Sequence, residues 1–139
     1  MPALSSYDYA LVRVVPSVER GECLNVGVVL YCPEKRFLGA LIHLDQARLL
    51  ALSPLIDLEL VERHLAFIPL VCKGGKAAGR LGEFSLSERF HWLVAPRSTI
   101  IQPSPPHSGL CSDPEEVLRH LFKTMVELPP LVDAMQPKG

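Results

Sequence analysis

Between Arg89 and Cys111 the chain reads RFHWLVAPRSTIIQPSPPHSGLC, a stretch that gathers Arg89, Arg97, His91, His107 and the sole tryptophan, Trp92. An arginine guanidinium is a planar fork of donors that matches a carboxylate or a phosphate. Arg97 with the hydroxyls of Ser98 and Thr99, and Arg89 nearby, is therefore one way to build an anion site. The competing structural reading has the arginine tying down a loop carbonyl or pairing with Glu88. His91 or His107 beside Ser98, Ser104 or Ser108, or His107 beside Cys111, supplies base and nucleophile types, but no GxSxG elbow accompanies them. A metal site from His91, His107 and Cys111 would need Cys23 or His120 as a further ligand. Neither HExxH nor a paired-cysteine spacing is present, so no metal is assigned.

A second cluster, SVERGECLNVG, crowds Glu19, Arg20, Glu22 and Asn25 around Gly21 just before an apolar run. It either lines a site or solvates a hairpin end. Arg13 interrupts an apolar strand face, and once buried it would need a carboxylate, for which Glu19, Glu22 or Asp8 are the candidates. A structural ion pair is the expectation.

The elements that must position these residues follow from periodicity. YDYALVRVV (7–15) is apolar on both alternating faces, as an interior strand is. LNVGVVLYC (24–32) and FLGALIHL (37–44) read as two more strands joined by the turn PEKR. Asp45 caps a short helix that Pro54 stops, and a second helix begins near Asp57 with Leu58, Val61, Leu65 and Ile68 inward. Pro69 is expected to kink or end it. KGGKAAGRLGE (73–83) reads as a mobile surface loop, and its glycines and lysines do not match the phosphate-loop order GxxxxGK[ST].

SLSERFHWLVA fits a short helix or a strand, and STII a short strand. QPSPPHSGLC, which carries Gln102, three prolines and a glycine, reads as an extended loop of fixed shape. Such a loop has little chain entropy left to lose on binding. Asp113 and Pro114 then open a last helix with Val117, Leu118, Leu121, Phe122, Met125 and Val126 on one stripe, ended by Pro129 and Pro130.

The 139 residues suit one domain with one continuous core. At 48% hydrophobic and 21% charged residues the chain is globular in composition, with enough apolar excess to leave some for a partner. The formal net charge of -1 provides no global field toward nucleic acid or an anionic membrane. No apolar run approaches the ~20 residues that span a bilayer, and no leader pattern opens the chain, so a cytoplasmic address is expected. Four separated cysteines, with no CxxC, are expected to be buried small hydrophobes rather than disulfides.

Taken together, YDYALVRVVP, VERGECLNVGVVLYC and SERFHWLVAPRSTIIQPSPPHSGLC resemble the bacterial domain-of-unknown-function family 3037, from about Tyr7 to Val126. The chain departs from that pattern at Cys23 and Leu24, where bulkier apolar pairs are usual. The resemblance implies a small cytosolic bacterial protein without an established activity, often encoded beside a HipA-like kinase, and it carries over no catalytic residue.

The sequence thus predicts one α+β domain over 1–128 and a tail at 129–139. Its antiparallel sheet has three to four strands, with helices packed on one face. The expected function is a partner-binding accessory or regulatory module, leaning away from an enzyme, needing no cofactor, and with a HipA-like kinase or a second copy of the chain as partner. Its working surface is drawn from Arg20, Asn25, Arg89, His91, Trp92, Arg97, Ser98, Thr99, Gln102 and His107. The alternative is an enzyme or sensor that holds a phosphorylated small molecule or nucleotide through the Arg, Ser and His side chains. A nucleic-acid role ranks below both, and a membrane role is not expected.

Overall fold

The computed structural model describes residues 3–128; the tail assigned to 129–139, with the Pro129 and Pro130 expected to end the last helix, lies outside them. Three long apolar runs become β1 (Ser5–Val14), β2 (Leu24–Cys32) and β3 (Phe37–Ile42), an antiparallel meander. The β2–β3 turn closes with the Arg36 amide donating to the Pro33 carbonyl at 3.0 Å. Gly27 is required where β3 crosses it, because a Cβ there would lie 2.8 Å from the Leu41 carbonyl oxygen and run into the Ile42 side chain.

The far edge of β1 is filled by two short strands, β4 (Ile101–Pro103) and β5 (His107–Cys111). β4 pairs with Val12–Val14 and β5 with Ser5–Tyr9, both antiparallel, so together they make one edge strand interrupted at residues 104–106. Among the described residues the sheet therefore has five strands, in the order β3-β2-β1 followed by β4 and β5 end to end. The expected rigid loop QPSPPHSGLC is largely this strand. A stretch rich in proline cannot donate a full ladder, and the chain answers by placing one extra residue between β4 and β5 relative to β1. At the break the Ser104 amide donates to the Leu11 carbonyl at 2.8 Å, and the Leu11 amide donates to the Ser104 hydroxyl at 2.8 Å.

Helices cover both faces of the sheet, not one. α1 (Gln46–Leu52), α2 (Leu58–Lys73) and α3 (Leu86–Leu93) cover the first face. Val12, Val14, Val26 and Val29 meet Leu49, Val61, Leu65, Val71 and Phe90 there. α4 (Pro114–Met125) covers the second, where Val28, Leu30 and Cys32 meet Leu118 and Leu121. A register shift in β1–β2, which leaves Val26 unpaired between Asn25 and Gly27, puts Leu24 and Val26 on the same face as Val29. The α+β class holds, with four α-helices around an open sheet among the described residues.

Locally the caps are as expected: the Asp45, Asp57 and Asp113 carboxylates accept amides from the first turns of α1, α2 and α4. Pro69 does not end α2, which runs on to Lys73. Pro69 is exposed, whereas Val71 and Cys72 beyond it are buried in the core and hold that last turn in place. The segment read as a mobile loop, 73–83, contains two short 3-10 turns within Lys76–Glu83, broken at Gly79, with Ala78 buried. Gly75 donates to the Gly82 carbonyl at 3.2 Å, an approach so close that a Cβ on Gly82 would occupy the Gly75 backbone. Three cysteines are buried and Cys23 is exposed. Among the described residues no helix is long and apolar enough to cross a membrane.

Candidate functional site

Leu60, His64 and Phe67 of α2 recur at four- and three-residue steps on a face beside the core positions Val61, Leu65 and Ile68, with Phe67 partly packed against that core. Opposite them lies the segment that leaves α3 and enters β4. Trp92, Arg97, Thr99, Ile100 and Ile101 form its wall, with Arg63 and Ile68 completing an open cleft of about 520 Å³. The walls are mainly apolar, and the cations Arg63 and Arg97 stand at the rim with His64.

Capping fixes Trp92. Ser85 and Glu88 form a reciprocal capping box at the start of α3, the hydroxyl accepting the Glu88 amide at 3.2 Å. The helix ends one turn later with Trp92 at its rim, 37% exposed. The indole edge meets the Phe67 ring at 6.1 Å between centroids, and the Arg97 guanidinium carbon sits 4.3 Å from the indole centroid. Arg97 also donates through Nη2 to the Trp92 carbonyl. Stacking of this kind contributes about 0.5–2 kcal/mol and holds the cation in place without a carboxylate. Burial holds the Arg97 guanidinium below the usual arginine range, and it stays protonated at any physiological pH.

The other expected site residues are placed elsewhere. Arg89 is 8% exposed, its Nη1 donating to the Val71 and Cys72 carbonyls at 2.8 Å each and its Nε to the Phe84 carbonyl at 3.1 Å. It caps the C-terminus of α2, so of the two readings of Arg89 the tied-down arginine is the one observed. His91 lies on the outer side of α3 with Nδ1 2.6 Å from the Ser87 carbonyl oxygen, a bond in which Nδ1 must donate. The Thr99 hydroxyl donates to the Ile101 carbonyl at 2.8 Å, and the Gln102 amide donates to the Thr99 carbonyl at 2.9 Å. Ser98 is exposed beside them.

His107 is on the far face, stacked 5.4 Å from Tyr9, a residue of the second core. It cannot serve Cys111, because four residues along a strand separate them by about 13 Å. Burial, then the neighbouring Cys32, raises the Cys111 thiol, the opposite of an activated nucleophile. Arg20 pairs with Glu22 at 2.5 Å in an exposed turn. Among the described residues Arg13 forms no ion pair within 4 Å; its Nε donates to the Asn25 side chain at 3.3 Å, and Asn25 in turn donates to the Met125 carbonyl at 3.3 Å. Asn25 and Gln102 flank Arg13 from the two neighbouring strands, whereas Arg20 lies apart in the exposed turn. Of the expected residues, Trp92, Arg97 and Thr99 share the cleft; Leu60, Arg63, His64 and Phe67 were not anticipated. Leu60 and Phe67, apolar residues outside the inward stripe of α2, are the sequence signal for that wall.

A family model described as a protein of unknown function, DUF3037, matches residues 9–126. The chain belongs to the DUF3037 family. No curated protein and no solved structure matches it. The DUF3037 match contains the whole cleft and every helix, and it begins inside β1 at Tyr9.

Proposed function

We propose that this DUF3037 protein is a non-catalytic partner-binding module whose docking surface is the cleft between α2 and the 92–101 segment. The observation that carries the reading is the aromatic pair of half-buried Phe67 and exposed Trp92, set among apolar neighbours with Arg63 and Arg97 beside them. Aromatic and arginine side chains at the centre of a patch are the usual anchors of protein interfaces. A HipA-like kinase encoded nearby, the neighbour that the family resemblance implies, is the first partner to test, and an accessory or regulatory role in the bacterial cytoplasm follows from that pairing.

The alternative, a phosphoanion sensor or enzyme, is less well supported. Arg89 spends its donors on carbonyls, and His107 sits on the opposite face of the sheet.

Trp92 is the only tryptophan, so its emission reports directly on the cleft. Titration with the kinase is expected to shift that emission to the blue. Phe67→Ala is expected to weaken binding by roughly tenfold or more, while Arg20→Ala leaves it unchanged. Binding indifferent to Phe67→Ala and Leu60→Ala, or a melting temperature raised by ATP or phosphate and made insensitive by Arg97→Ala, would overturn the proposal.

A further inference from the structure

Deepening the binding reading, on which it rests, we infer that the cleft accepts an acidic segment of another protein, one that presents an aliphatic or aromatic side chain beside a carboxylate. The apolar floor and the charge at its rim make two separate demands on the occupant. Phe67, Trp92 and Ile100 present a surface that water solvates poorly and that only apolar groups fill well. Arg63 and Arg97 present cations to the same opening, and among the described residues no Asp or Glu lines it. Among the described residues the one ion pair within 4 Å joins Arg20 to Glu22, in the exposed turn before β2. Neither acid of α2 pairs with Arg63 within 4 Å: Glu59 lies one turn before it, and Glu62 accepts a hydrogen bond from the Gln46 side chain.

A chain of net charge -1 that leaves two guanidinium groups uncompensated around one apolar opening has a local field opposed to its overall charge. A carboxylate arriving there meets a cation already held by the indole face, so little side-chain freedom is lost when the pair forms.

The same charges argue against a second copy as the occupant. A two-fold contact would lay this face against itself and bring Arg63 and Arg97 toward their symmetry mates with no acid between them. The open shape argues against an enclosed small-molecule pocket, which buries most of its ligand. A nucleic-acid strand would need a charged track along its backbone, and two arginines at one opening do not make one.

Selection from a random peptide display library on the intact protein tests the idea. Peptides that combine Leu, Ile, Phe or Trp with Asp or Glu are expected to be enriched on the wild type and lost on Arg63→Glu, whose exposed position leaves folding undisturbed. Replacing the acids of a selected peptide by their amides is expected to weaken binding about tenfold, and raising the salt from low to high ionic strength is expected to do the same. Neutral or basic winners that still require Leu60 and Phe67 would leave the docking surface standing and overturn the acidic partner. Enrichment indifferent to Leu60→Ala and Phe67→Ala, or no enrichment, would remove both. Self-association abolished by Arg63→Glu, or tighter binding of single-stranded oligonucleotides than of any acidic peptide, would likewise overturn it.

Discussion

Arg89 shows how a residue type that reads as a ligand can be spent on structure. α2 ends with carbonyls that have no helical partner, and a helix C-terminus carries a partial negative charge. Arg89 reaches back from α3 and fills two of those acceptors and a third from Phe84, so a buried cation is satisfied without an acid. Removing it leaves the Val71 and Cys72 carbonyls buried and unpaired. Arg89→Met is expected to lower the unfolding free energy by about 2–4 kcal/mol, measured as a lower urea midpoint at unchanged slope. Arg89→Lys should recover only part of it, since one ammonium group cannot reproduce the forked geometry. A midpoint within a few tenths of a molar of wild type would show that the three bonds contribute little. From sequence alone Arg89 and Arg97 were equivalent, eight residues apart around the same tryptophan. What separates them is that Arg89 caps the end of α2 while Arg97 lies over the indole in the cleft, and that depends on contacts with residues far along the chain.

At the scale of elements, the features set by neighbouring residues were legible and those set by distant ones were not. The three meander strands and the aspartate caps of α1, α2 and α4 appear where the local pattern puts them. The Ser85–Glu88 capping box was equally local and would have decided α3 as a helix. The continuous apolar run LNVGVVLYC already implied cover on both faces of β2, which the one-sided arrangement did not honour. The broken edge strand was not legible, because three prolines forbid a regular ladder and only the tertiary partner reveals the repair. That repair is Ser104, 2% exposed, whose hydroxyl takes the Leu11 amide in place of a strand carbonyl. Ser104→Ala should therefore strand a backbone donor next to the core and cost about 1–3 kcal/mol. Faster hydrogen exchange at the Leu11 amide, with the amides of β3 unchanged, is the accompanying signature; uniform loss of protection would mean the bond is not local in its effect.

For the molecule as a whole, the sheet divides the interior into two cores, and each holds buried thiols: Cys72 in the first, Cys32 and Cys111 in the second. Burial pushes the Cys72 thiol up to about 12 from an ordinary value near 9, an effect that nearby Arg89 only partly opposes. Burial also raises Cys111 and Tyr7. For each of these groups the folded state holds its proton more tightly than the unfolded chain does. The stability they contribute is therefore complete below about pH 9 and is lost as the pH climbs toward the folded values. The urea midpoint is accordingly expected to be level near pH 8 and to fall between pH 9 and 11. Cys72 accounts for up to one proton of that slope, about 1.4 kcal/mol per pH unit. Cys72→Ala lowers the midpoint at neutral pH through the small cavity it leaves, yet its decline above pH 9 should be shallower than that of wild type. Parallel curves for the two proteins would show that Cys72 ionises no differently when folded. In the same pH 8 samples a thiol reagent should modify Cys23 rapidly and the three buried cysteines only at the rate of unfolding.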